Sequence, residues 1–148
     1  TKYVYELPGW NARMEELQAA FLLVRLRHLQ ADNDARRAVA EAYRARIRAT
    51  GIRLPAVPEG ASPAWHLFPV LCANRADVQT RLEKAGVATL VHYPTPLHRQ
   101  ASLPGHAHRH LPAAEEWCHL TLSLPIHPLL TAAEVEHVVQ ALEEATRA

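Results

Sequence analysis

Glycine is scarce in this chain of 148 residues, with five in all and no two close together. A loop that cradles phosphate needs several within a few positions, so that chemistry is excluded. There is no Gly-x-Ser-x-Gly elbow and no His-Glu-x-x-His pair, which removes the common hydrolase and metalloprotease arrangements. Lysine is almost missing as well: Lys2 and Lys84 are the only two. Lys84 falls on the polar side of a predicted helix, so neither reads as a desolvated, activated amine. An excess of one charge is also lacking, the formal net charge being +1. That balance argues against a generic nucleic-acid or anionic-membrane binder, which needs a basic surplus on one face. Fourteen of the sixteen basic residues are Arg, scattered along helices as solvated faces rather than massed. Cysteine is limited to Cys72 and Cys118, far apart and in no Cys-x-x-Cys pattern, which points to two half-buried thiols in a reducing compartment. The longest apolar run, Ala19 to Val24, stops at Arg25, too short for a membrane span. With no signal peptide in view, a cytoplasmic location is expected. The opening Thr1-Lys-Tyr-Val-Tyr-Glu lacks an initiator Met, so a piece of a longer protein is expected.

What remains is an ordinary globular composition, 49% hydrophobic and 21% charged, and a length that suits one domain. The organising stretch is Leu7 to Val24. Pro8 and Gly9 make a turn, and Asn11 occupies the N-cap position of a helix predicted over Ala12 to Ala31. From Leu17 to Leu29 that helix is apolar nearly all the way round, whereas a surface helix needs one stripe. Either the chain folds tightly over it, or another chain or domain packs there.

Asp32 and Asn33 either cap a second helix or disturb a continuous one. Val39, Tyr43 and Ile47 then give a single stripe, with Gly51 as the stop. Residues 53–63, with three prolines, read as a loop. Ala64 to Cys72 reads as a strand, and Pro69 within it predicts an edge or a bulge. A short helix capped by Asn74 and ended by Gly86 precedes a second strand, Val87 to Tyr93. Leu97 to Leu111 is irregular and rich in His; Pro112 opens a helix, and Leu120 to Leu124 forms a short strand. Thr131-Ala-Ala-Glu134 is a capping box for the last helix. A βαβ-then-αβα order follows, with about three strands: a small α+β or open-faced α/β domain after a long N-terminal helix.

Three groups of residues are candidates for chemistry. His106, His108 and His110 alternate, so an extended backbone would aim all three to one side and could bind zinc. A solvated loop between Pro104 and Pro112 holds them equally well, and no carboxylate or Cys pair is near. His92-Tyr-Pro-Thr-Pro-Leu-His98 closes an apolar strand with polar rings; the Pro94 break can turn Tyr93 and return His98 to the same mouth. Asn11 and Arg13 flank a helix N-terminus, where free N–H groups and the dipole favour anions.

Taken together, these residues resemble a known family. Pro8-Gly-Trp-Asn-Ala-Arg-Met-Glu-Glu-Leu-Gln-Ala-Ala20 is similar to a Gly-x-Asn-x-Arg…Glu-Leu-Gln-Ala-Ala segment of the DegT–DnrJ–StrS aminotransferases, pyridoxal-phosphate enzymes that act mostly on keto-sugar nucleotides. Arg37…Ala40…Tyr43, Trp65-His-Leu-Phe68, His92-Tyr-Pro…His98, Ala114-Glu115, Leu122-Ser-Leu-Pro125 and Leu130-Thr131…Val135 continue the likeness in order. The resemblance implies the C-terminal part of the aspartate-aminotransferase fold: residues 1–31 as the interdomain and dimer segment, 32–148 as the small domain. It implies no catalytic residue here, because the cofactor lysine lies in the part of the family that this chain does not match. Asn11 is implied as a ligand of the pyridoxal phosphate held by a homodimer partner. Arg13, His92, Tyr93 and His98 are implied as substrate contacts. The implied parent reaction moves an amino group from glutamate or glutamine to a keto-sugar nucleotide, in amino-sugar, polysaccharide or antibiotic-sugar biosynthesis. The fragment alone is expected to be inactive, with no metal, nucleic-acid or membrane partner. The rival readings are a non-catalytic dimerisation module and a His-rich zinc protein.

Overall fold

A computed structural model describes residues 3–147. Its helices are α1 (Glu16–Leu26), α2 (Leu29–Arg46), α3 (Arg75–Lys84), α4 (Pro112–Leu120) and α5 (Ala132–Thr146); its strands are β1 (Ile52–Arg53), β2 (Phe68–Cys72) and β3 (Thr121–Leu124). The three strands form one antiparallel sheet in the order β1-β2-β3. The mixed α+β class is as expected, but among the described residues no βαβ unit forms, and the strand roster differs from the prediction.

The period-2 alternation of β2 and β3 divides the sheet. Phe68, Val70 and Cys72 of β2 and Leu122 and Leu124 of β3 face the main core. Val39, Ala40 and Tyr43 of α2, Val78 and Leu82 of α3, and six residues of α5 from Val135 to Ala145 cover that face. Tyr43 is fully buried, and its hydroxyl donates to the Pro125 carbonyl at 2.8 Å, tying α2 to the turn after β3. The opposite face carries Pro69, Leu71, Thr121 and Ser123, and α4 packs on that strand pair's flank against β2.

Pro69 lies in the central strand, not at an edge. Ser123, its cross-strand partner, exchanges both backbone hydrogen bonds with Leu90 (2.7 and 3.3 Å). The Pro69–Ser123 pair is therefore a non-hydrogen-bonded one, and the absent N–H of Pro69 faces the β1 side. There β1 reaches only Leu71 and Cys72, so no ladder bond is lost.

The predicted strand over 87–93 reduces to the single bridge at Leu90. Its continuation would pair with Thr121, but Thr121 also ends α4, and its N–H goes to the Trp117 carbonyl. Helix capping thus removes the donor that a longer ladder needs. In its place β1 joins the sheet, from residues at the head of the predicted loop. Gly51 (φ +82°) makes the turn into β1 rather than stopping α2, which ends at Arg46 with Ile47 extended.

The predicted helix from Ala12 to Ala31 is shorter and broken. Glu15, not Asn11, is the N-cap of α1, and its N–H donates to Gln18 Oε1 at 3.4 Å. Counted from Asn11, the third helical position is Met14, which has no oxygen to reach back; counted from Glu15 it is Gln18, which has one. The break falls at Arg27–His28, and Asp32 and Asn33 lie inside α2. No residue of α1 is buried, so the apolar helix is left bare by its own chain. At the other end of the chain the capping box holds as read: Glu134 N–H donates to Thr131 Oγ1, and Thr131 N–H to Glu134. Asn74 sits at the α3 N-cap without a side-chain bond there, and Gly86 (φ +78°) follows the helix end as predicted.

Candidate functional site

Beyond Leu90, where the ladder ends, a segment punctuated by Pro94, Pro96 and Pro104 folds into two short 3₁₀ turns, Leu97–Arg99 and Pro104–His106. These turns wrap a cavity of about 940 Å³, floored by Trp117 and Cys118 of α4 and walled by Tyr3, Tyr5, His92 and Tyr93. The size suits a small-molecule ligand or cofactor. Its walls are largely apolar and aromatic, with His98, His106 and Arg109 as basic groups. The wall at Tyr3–Tyr5 is fastened by one buried amide. Gln100 donates from Nε2 to the Tyr3 carbonyl at 3.0 Å and accepts the Tyr5 N–H on Oε1 at 3.1 Å. Ser102 N–H adds a bond to the Tyr5 carbonyl at 2.9 Å.

Glu115, in the first turn of α4, fixes the cavity's other side. Its Oε1 lies 2.8 Å from His98 Nε2 and 3.0 Å from an Arg99 nitrogen, and Oε2 is 3.6 Å from His110 Nδ1. The His98 bond first, then the Arg99 guanidinium, hold the Glu115 carboxyl down at about 2, so it is ionised at neutral pH. His98 itself is buried, although it borders the cavity. His92 Nδ1 is 2.9 Å from Ser123 Oγ, which anchors that ring to β3. Burial pushes the Cys118 thiol up, so it stays protonated at neutral pH.

The structure brings His92, Tyr93 and His98 together on one cavity, the convergence that the Pro94 break suggested. Asn11 and Arg13 do not join them. Both are exposed in the irregular lead into α1 and border no part of this cavity. His106, His108 and His110 do not lie on an extended backbone, because a 3₁₀ turn occupies 104–106, and the one-sided fan of imidazoles is lost. Among the described residues no group of three His, Cys, Asp or Glu could hold a metal ion. Glu115, Gln100, Tyr3 and Tyr5 were not legible as site residues. Glu115 stood out only as half of the Ala114-Glu115 motif, and Gln100 carried no signal at all.

The sequence profile of the DegT/DnrJ/EryC1/StrS aminotransferase family matches residues 1–143. The chain belongs to that family. It is 44% identical over 148 residues to the erythromycin biosynthesis sensory transduction protein EryC1 of Saccharopolyspora erythraea, covering 96% of this chain and 40% of that one. It is 38% identical over 146 residues to the dTDP-3-amino-3,4,6-trideoxy-alpha-D-glucose transaminase of Streptomyces venezuelae, covering 97% and 38% respectively. Among solved structures, S. venezuelae DesV superposes with a TM-score of 0.85 at 37% identity, covering all of this chain and 41% of that one. Bacillus subtilis NtdA, solved with bound cofactor PMP, superposes at 0.80 with 31% identity, covering 95% of this chain and 34% of NtdA. The chain thus spans about 40% of the length of the curated relatives it matches.

The family's aminotransferases depend on pyridoxal phosphate, and the described residues can be tested against that group. It needs an amine to hold it and donors for its phosphate. Lys84, the one lysine described, is exposed at the end of α3 and does not border the cavity. Asn11 and Arg13 are phosphate-type donors, exposed on the lead to α1. The described residues therefore do not by themselves form a pyridoxal-phosphate site, and no step through the cofactor is built on them.

Proposed function

We propose that this chain is the C-terminal portion of a pyridoxal-phosphate-dependent sugar aminotransferase, which moves an amino group from glutamate or glutamine to a keto-sugar nucleotide. The observation that carries it is the family match over 143 of 148 residues, together with relatives named as dTDP- and UDP-sugar transaminases. The lysine and the electron sink belong to a portion of the enzyme that this chain does not contain. Residues 1–31 act as the interdomain and dimer segment and 32–148 as the small domain. Asn11 donates its amide to the phosphate of a cofactor held by a homodimer partner; Arg13 reaches the same phosphate or that of the substrate. His92, Tyr93 and His98 contact the sugar nucleotide at the cavity, and the enzyme works in the cytoplasm. Support for the assembly role comes from α1, none of whose residues is buried by this chain and whose large apolar side chains are all exposed.

A chimera tests this directly. The S. venezuelae transaminase is rebuilt with this chain in place of its own matching C-terminal segment, and amino transfer to its dTDP-keto-sugar is measured. Retained activity that falls at least tenfold with Asn11→Ala is the expected result. An inactive chimera that still folds, dimerises and binds cofactor refutes the reading. The isolated chain with added pyridoxal phosphate is expected to give no saturating, borohydride-fixed adduct.

A further inference from the structure

His98 borders the cavity through a ring whose two nitrogens have different environments. Nε2 lies 2.8 Å from Glu115 Oε1, and among the described residues Nδ1 has no hydrogen-bond partner. An ionised carboxylate can only accept, so the hydrogen in that contact sits on Nε2. The neutral ring then carries a bare lone pair on Nδ1. The carboxylate is itself immobilised. Arg99 donates to the same oxygen at 3.0 Å, and the Leu111 N–H approaches it at 3.5 Å. His110 faces the second oxygen at 3.6 Å. Arg99 is held in turn by the Ala107 carbonyl at 2.9 Å, so the whole clasp is fastened to the turn that walls the cavity.

We propose that Glu115 is a positioning residue, which fixes His98 in its Nε2–H form so that Nδ1 serves as a hydrogen-bond acceptor for a hydroxyl of a sugar-nucleotide ligand in the cavity. This rests on the reading of the cavity as a substrate pocket. An oriented acceptor in a largely apolar wall recognises a hydroxyl at one position and discriminates against a sugar that lacks it. A site built to bond a hydroxyl is left with an unpaired polar atom when the hydroxyl is absent. Glu115 touches no ligand in this arrangement; it acts through the ring.

The test is ¹⁵N NMR of the labelled chain above pH 8, where an ordinary imidazole is neutral. His98 is assigned by loss of its signals in His98→Gln. The wild type is expected to show a protonated Nε2 and a bare Nδ1. Glu115→Ala is expected to show a mixture of both ring forms with an unchanged far-ultraviolet circular dichroism spectrum. Glu115→Gln, which keeps an acceptor oxygen, is expected to restore the wild-type form. A wild-type ring protonated on Nδ1 overturns the proposal even if Glu115→Ala fails to fold, and so does a folded Glu115→Ala chain with the wild-type ring form. Titration with dTDP-glucose separates this from the pocket reading. Movement of the Nδ1 resonance, with half-saturation about tenfold higher in Glu115→Ala, supports the proposal. No response from any cavity residue sinks the pocket reading, and with it the role of Nδ1 as a ligand acceptor, while the ring form still decides what Glu115 does to His98.

Discussion

If α1 is an assembly surface, stripping its grease must abolish association without touching the fold. Leu17, Phe21 and Val24 lie one helical turn apart on one stripe, 68%, 66% and 58% exposed. Full burial of such a side chain is worth about 1.5–3 kcal/mol, so the exposed part of each offers about 1–2 kcal/mol when covered. The three together supply about 3–6 kcal/mol per chain. At about 1.4 kcal/mol per tenfold, removing them weakens association by at least about a hundredfold. The triple variant Leu17→Glu, Phe21→Lys, Val24→Gln keeps good helix formers and adds a Glu–Lys pair in the favourable order. Because no α1 residue is buried, its melting temperature should stay within about 2 °C of wild type. Sedimentation velocity over a concentration series is the assay: wild type associates at micromolar concentration, and the variant runs as a monomer. A wild type that stays monomeric at high micromolar concentration refutes the reasoning, as does a variant that associates unchanged. A variant that melts many degrees lower shows that α1 is covered by its own chain after all.

Tyr43→Phe removes the bond to Pro125 O and leaves a part-buried carbonyl unpaired, at a cost of about 1–2 kcal/mol. Thermal unfolding should fall by about 2–8 °C, and an unchanged melt means that water replaces the phenol. Gln100→Ala frees the Tyr3–Tyr5 wall, so exchange of the Tyr5 amide should quicken by about tenfold or more while amides of β2 keep their protection; equal rates in the two chains would show that Ser102 alone holds the wall. Glu115 titrates near 2 in the folded chain against an ordinary 4.5. Its folded form is the depressed one, so its contribution is whole above about pH 4.5 and is lost as pH falls toward 2. The stability gap between wild type and Glu115→Gln should be flat above pH 5 and close through that window; a gap that persists at pH 2 would place its origin in packing.

Helices with their own punctuation were legible from the chain alone. Thr131 to Glu134 and Pro112 carry start signals that act within a few residues, and α5 and α4 open where those signals stand. The sheet was harder, because each strand's partner lies far away in sequence. Nothing near Val87 to Tyr93 records that Thr121 donates to Trp117, yet that single helix cap ends the ladder after Leu90. Nothing near Pro69 records that Ser123 turns its backbone toward Leu90, which is why a proline sits in the central strand without loss. The candidate site divides the same way. Its rings at His92, Tyr93 and His98 sit in one proline-broken segment and could be read together. The groups that hold that segment, Gln100 and Glu115, act across 95 residues to Tyr5 and 17 residues to His98, distances over which local pattern carries nothing.

The distribution of apolar surface joins these parts. The main core closes with α2, α3 and α5 on one face of the sheet, and it does so without any residue of α1. An 11-residue helix on its own is marginal in water, so α1 gains little from propensity and nothing from its own chain's interior. Its side chains, with Trp10 fully exposed just before them, therefore have no folding role here that polar residues could not fill as well. An exposed apolar stretch of this kind carries a standing tendency to associate, which is the property the proposed assembly role would use. The donors at Asn11 and Arg13 sit at the head of that same bare segment. On the proposed assembly, a surface that covers α1 lies beside these two donors, so the Asn11→Ala chimera and the α1 triple variant probe neighbouring parts of one interface.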